Sequence, residues 1–144
     1  MKRIKATENF YWDELIHPAI YKRFYERSRL YMNPQLLILL QAIRENYGKS
    51  ITINNWAIGG KFKNSGLRDY KNPLGKLNRS RHYYGLAIDM KADDIKALQA
   101  HVLDNMDIYY DLGLRVIEDY RYTASWCHIS VEETKLDKVK IMIP

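Results

Sequence analysis

The sequence predicts an α+β domain in which N-terminal helices pack on a small, mostly antiparallel sheet. Three observations predict it. Helical signals come first along the chain, and short apolar runs of strand length follow with one helix between them. One early helix is apolar around most of its circumference, which marks it as buried. No repeat, low-complexity segment or linker interrupts the 144 residues, so residues 1–144 form a single domain, large enough to bury a core without staples.

Phe10 to Ile16 has the pattern of a short amphipathic helix closed by Pro18, and His17 before that proline reads as a cap. From Ala19 to Leu30 the chain is rich in arginine and aromatic residues. Tyr21, Phe24, Tyr25 and Tyr31 fall near helical spacing, which reads as a core-facing stripe in preference to a base-stacking platform. Asn33 suits an N-cap, Pro34 the first helical position and Gly48 the position past the end. Between them Leu36, Leu37, Leu39, Leu40, Ile43 and Tyr47 make the central buried helix.

Ile51 to Asn54 reads as a strand leading out of that helix. Asn55 to Arg79 is irregular, with turn signals at Gly59-Gly60, Asn64-Ser65-Gly66, Asn72-Pro73 and Gly75. A loop this long in a small domain is functional or disordered, and its position just before His82 points to an active-site wall. Leu86, Ala87, Ile88 and Met90 form a short buried strand. Asp93 caps a helix running through Ile95, Leu98, Val102 and Leu103, with His101 as plain surface or core. Leu112 to Ile117, Trp126 to Val131 and Val139 to Ile143 read as strands.

Composition narrows the function classes. Apolar residues at 47% and charged residues at 28% are those of a soluble globular protein. No apolar run reaches membrane-spanning length, and Met1 to Trp12 is basic without the apolar core of a secretory signal. The expectation is a monomer made in a cytoplasm and kept there or released without a signal peptide. A single cysteine excludes an internal disulfide and a multi-cysteine zinc site. Cys127 reads as a small core residue on the face of its strand opposite its neighbour His128. The net charge of +6 suits an anionic partner. Because the basic residues are spread along the chain and not clustered on one helix, nucleic acid is not expected to be that partner.

The chemistry gathers in Ser80-Arg81-His82-Tyr83-Tyr84-Gly85-Leu86-Ala87-Ile88-Asp89. A histidine and an aspartate flank a bend of small residues. Asp89 then sits inside an apolar run, where an unpaired carboxylate is costly. A metal ion is the simplest partner, since imidazole with carboxylate is ordinary zinc ligation. Trp126-Cys127-His128 offers a third ligand in a second apolar run. Three ligands from His82, Asp89 and His128 would leave a fourth tetrahedral position open, as in catalytic zinc sites. Such an ion acidifies water and polarises a carbonyl. Hydrolysis also needs a base and an oxyanion partner. Glu118 and Asp119 are the nearest acids along the chain, and Arg68 supplies a fixed positive charge.

These residues carry a resemblance. Ser80-x-His82-x-x-Gly85-x-Ala87-x-Asp89 followed by Trp126-x-His128 resembles the zinc D-Ala-D-Ala carboxypeptidases and L-alanyl-D-glutamate endopeptidases of the M15 peptidase family, nearest to its small phage-encoded branch. Ile51 to Asn54 resembles the strand entering that family's Ser-Gly-Tyr-Arg turn, Ser65-Gly66-Leu67-Arg68 resembles the turn, and Phe10 to Leu15 resembles the opening helix. The likeness runs from about residue 8 to about residue 131. It implies the hedgehog/DD-peptidase fold and one zinc ion on His82, Asp89 and His128. It implies that Arg68 contacts a carbonyl or carboxylate of the substrate and that Ser80 fixes the substrate near the metal. The implied partner is the peptide part of peptidoglycan, cut at the cell wall after release from the host cytoplasm or from a virion.

The chain departs from the family twice. The position three before the last histidine, where many members carry the catalytic acid, is Ser125, which cannot act as a base. Some phage relatives place a glutamate at the end of the preceding strand. Glu118 fits that pattern, with Asp119 second, since one of two adjacent strand residues points away. The approach to Ser65 is also longer than usual, from Ala57 to Asn64, which reshapes the cleft. The expected activity is zinc-dependent hydrolysis of peptidoglycan stem peptides. The alternative is a zinc-containing wall-binding or virion module of the same fold without turnover.

Overall fold

The computed structural model describes residues 2–70, 80–132 and 137–144. The turn signals at Asn72-Pro73 and Gly75, and the end of the long loop at Arg79, lie outside these. The fold is α+β, as expected. Helices α1 (Trp12–Leu15), α2 (Pro18–Phe24) and α3 (Pro34–Tyr47) come first. Strand β1 (Ala87–Met90) follows, then α4 (Ile95–Asp104), α5 (Met106–Asp111), β2 (Leu114–Glu118), β3 (Cys127–Val131) and β4 (Lys140–Met142).

The caps explain where the early helices begin and end. His17 Nδ1 accepts from the Ala19 amide at 3.2 Å and so starts α2, as its place before Pro18 predicts. Past Phe24 the chain tightens into a 3₁₀ turn, Tyr25–Tyr31. The expected aromatic stripe is therefore split: Tyr21 is buried, whereas Leu30 and Tyr31 stand out in solvent. Asn33 caps α3 through a 2.8 Å bond from the Gln35 amide, and Gly48 ends it in the left-handed conformation. Leu36, Leu39, Leu40 and Ile43 have no solvent exposure. Each such side chain contributes on the order of 1.5–3 kcal/mol by leaving water.

The sheet order is β1-β3-β2-β4. β1 and β2 each run antiparallel to β3, but β4 lies parallel to β2, so the sheet is mixed. Ile88, Ile129 and Ile117 share one row across three strands and face the core, with α3 and α4 packed on β3. Cys127 faces the core too, and burial pushes its thiol up to about 12, so it is a core residue as expected.

Three expectations are corrected. Ile51 to Asn54 is not a strand. Only Thr52 bridges to Lys91, because the Asn54 amide turns to the Glu14 carbonyl at 2.9 Å. The cap of α4 is Asp94, not Asp93: its Oδ1 accepts from the Ala97 amide at 3.0 Å. Helix α5 occupies residues that carried no clear helical pattern, and it delays the next strand from Leu112 to Leu114. The expected strand at Val139 to Ile143 forms as β4, Lys140–Met142, an exposed edge strand with Ile141 and Ile143 in solvent.

Candidate metal centre

The opposite face of the sheet carries the site. Asp89 on β1 pairs directly with His128 on β3. The β2–β3 register places Ile117 opposite Ile129, so Glu118, one residue on, flanks His128 from the other side. Three chemically active side chains thus form one row across three strands. His82 reaches this row from a 3₁₀ turn, Arg81–Tyr84, that Ser80 starts by accepting from the His82 amide at 3.4 Å. Gly85 ends the turn at φ +68°, and a Cβ there would collide with the Tyr31 backbone. That close approach explains the glycine between histidine and aspartate.

The ligand atoms of His82, Asp89 and His128 all lie within 4.8 Å of one another. Asp89 Oδ1 stands 2.8 Å from His128 Nδ1 and 3.3 Å from His82 Nε2. Donors on a tetrahedral zinc ion with bonds of about 2 Å stand roughly 3.3 Å apart, so this cluster fits such an ion with small adjustments. The surrounding bonds prepare the donors. His82 Nδ1 lies 2.9 Å from the buried Gly66 carbonyl, which can only accept, so the proton sits on Nδ1 and Nε2 keeps its lone pair. Arg68 Nη2 holds the other Asp89 oxygen, Oδ2, at 3.1 Å, leaving Oδ1 for the cluster. Arg68 is itself fixed by a 2.7 Å bond from Nε to the Asn64 carbonyl.

Electrostatics agree with this division. Burial pulls the His82 imidazole below its usual range, favouring the neutral ligand form. Burial alone would raise the Asp89 carboxyl, but the charge and hydrogen bonds of the His82 and His128 rings, when protonated, outweigh it and hold the group well below the ordinary carboxylate range. A buried neutral imidazole beside a buried carboxylate is a donor set suited to zinc.

Glu118 lines the same cleft. Its Oε1 lies 3.9 Å from His128 Nδ1, and its Oε2 accepts from Trp126 Nε1 at 2.9 Å. Asp119 turns away and pairs with Arg121 at 2.6 Å on the surface. Ser125 is exposed. The cleft, of about 560 Å³, brings together Arg68, Ser80, His82, Glu118 and His128, with Lys140, Met142, Ile143 and Pro144 along one wall. Apart from Asp119, the residues singled out in the sequence for metal, substrate or proton transfer border one space or its immediate backing.

Sequence reasoning assigned no role to three residues that support the site. Gly66 orients His82 through a backbone carbonyl, for which side-chain identity gives no signal. Trp126 holds Glu118. Lys91 stands behind Asp89: its amine reaches Ser65 Oγ at 2.5 Å and the carbonyls of Ile53 and Asp89 at 3.2 and 3.3 Å. Burial pulls that amine down to about 8. Comparison with protein-family models, with curated proteins and with solved structures finds no match for this chain. No described helix is long and apolar enough to cross a membrane.

Proposed function

We propose that this protein is a zinc-dependent peptidase that hydrolyses the stem peptides of peptidoglycan, as a carboxypeptidase or endopeptidase of the M15 kind, in phage or prophage lysis of the cell wall. The observation that carries the reading is the row Asp89, His128 and Glu118, with His82 above it. It combines three candidate metal ligands with one further carboxylate, held by Trp126 and standing 3.9 Å from His128 Nδ1.

His82, Asp89 and His128 would hold the ion. Zinc there would acidify a water molecule and polarise the scissile carbonyl. Glu118 accepts a proton from the attacking water and passes it to the leaving amine, which its position on the cleft wall allows. Arg68 orients Asp89 through its Oδ2, and adds positive charge where an oxyanion develops. Ser80 sits at the rim, where it fixes both the His82 turn and the bound peptide.

The test is digestion of purified peptidoglycan by the zinc-loaded protein, with and without a chelator, followed by mass analysis of the fragments. Release of a defined peptide or of D-alanine, abolished by the chelator, is the expected result. Intact peptidoglycan in the presence of bound zinc would overturn the catalytic reading. It would favour a zinc-containing wall-binding or virion module.

A further inference from the structure

We propose that the insert from Ala57 to Asn64 builds an anion-binding subsite beside the metal centre, and that its ligand is a free carboxylate of the peptide substrate. The substrate assignment rests on the peptidase reading above.

The insert is a fixed structure. The Phe62 carbonyl accepts from the Asn55 and Trp56 amides at 3.0 and 3.2 Å, and Asn55 Oδ1 accepts from the Phe62 amide at 2.9 Å. The Gly60 amide closes the turn on the Asn55 carbonyl at 2.9 Å, and a Cβ at Gly60 would strike the Asn55 side chain. This clasp sets the Phe62 ring over Lys91, with the amine 4.6 Å from the ring centre. Lys61 and Lys63 leave the chain on either side of Phe62, both exposed.

Lys61, Lys63, Lys91 and Arg68 border a pocket of about 310 Å³ whose remaining walls include Asp89 and Trp126. Four cations meet one carboxylate there. That carboxylate is already engaged by Arg68 and the two histidines. Lys91 is held by Ser65 and two carbonyls, so it supplies field more than contact. Lys61 and Lys63 make no ion pair among the described residues and have long stems to reach a ligand. At the other end of the centre the charge is balanced, because Arg81 pairs with Glu132 at 2.6 Å. The positive potential therefore falls on one side of the ligand cluster.

Position and size select the ligand. The pocket shares Arg68 and Asp89 with the metal centre, and one peptide residue spans about 3.5 Å. A carboxylate one or two residues from the scissile bond would reach it. The volume holds a peptide side chain or terminus that carries a carboxylate, while Trp126 lines the pocket beside the carbon chain that carries the charge.

The experiment is calorimetric titration of the zinc-loaded protein with a soluble stem peptide and with its twin in which every carboxylate is a carboxamide. The Lys61→Ala/Lys63→Ala and Lys61→Glu/Lys63→Glu proteins are titrated in parallel. Zinc content and Tm report folding. The expected result is about tenfold weaker binding of the carboxylate peptide to the alanine variant, and a larger loss on charge reversal. The carboxamide twin should bind wild type and alanine variant alike. Equal binding of the two peptides by wild type, or unchanged affinity in the variants, would overturn the subsite. So would inorganic phosphate competing as well as the peptide does, since that indicates a phosphate site. Lysine-dependent binding without cleavage keeps the subsite and removes the peptidase reading. Chelator-sensitive cleavage indifferent to the lysines does the reverse.

Discussion

Asp89 and His128 stand directly opposite each other on two antiparallel strands, with Asp89 Oδ1 2.8 Å from His128 Nδ1. The same carboxylate uses its second oxygen to bind Arg68 at 3.1 Å. One side chain thus joins the ligand cluster to the loop that walls the cleft. Replacing Asp89 by Asn removes the charge but keeps the shape. The expected outcome is zinc affinity lower by at least about a hundredfold, with the fold retained, read by metal titration with a chromophoric chelator.

Arg68 acts on that ligand from behind. Arg68→Met should weaken zinc binding by about ten- to a hundredfold, because Asp89 loses the partner that fixes its oxygens. Zinc affinity unchanged in this variant would mean that the Arg68–Asp89 pair does not prepare the site.

Glu118 and Asp119 are adjacent acids with different surroundings. Glu118→Gln preserves the bond from Trp126 in shape and removes the proposed base. The turnover number should fall by about a hundred- to ten-thousandfold with zinc content unchanged. Asp119→Asn, on the surface beside Arg121, should leave turnover as it is. Steady-state kinetics of the two variants on a stem peptide decide the assignment.

Gly85 has φ +68° and no room for a side chain against Tyr31. Gly85→Ala combines left-handed strain with backbone overlap, and the expected cost is on the order of 2–4 kcal/mol. Thermal unfolding should show a clear drop in Tm. Weaker zinc binding should accompany it, because the His82 turn ends at this glycine.

The fold should lose stability in mild acid even without metal. Burial lowers His17 and His101 below their usual values, and His17 Nδ1 is already committed as an acceptor at the start of α2. A depressed imidazole means that the unfolded chain binds more protons, so stability rises with pH through this window. The contribution is complete above about pH 6.5 and is lost as pH falls below that value toward the folded-state pKa. In the presence of a chelator, Tm should be lower at about pH 5 than at about pH 7.5. His17→Asn keeps a capping side chain without the titration and should flatten part of that slope.

Local signals in the chain were enough for some of this structure. Asn33, Pro34 and Gly48 mark the ends of the central helix because capping is decided by neighbours within four residues. The candidate ligand set was legible for a similar reason. A histidine and an aspartate around a small-residue bend, and a histidine in a second apolar run, meet in one cluster. Asp94 in place of Asp93 is an error of one residue between two equivalent caps. The misread segment at Ile51 to Asn54 has strand composition, but the edge it would pair with is taken: the Asp89 amide bonds to the Ser65 carbonyl.

By itself the sequence determined the fold class, the central helix and the residues able to bind a metal, because each depends on periodicity, capping or side-chain chemistry. Only the tertiary structure decided that Glu118 joins the row while Asp119 leaves it, and that Arg68 holds Asp89. It alone set the Gly66 carbonyl against His82 and the insert's lysines beside the centre. Those relationships depend on strand register and on loops returning from distant parts of the chain. Both are set by the packing of the whole core, which no local stretch of residues encodes.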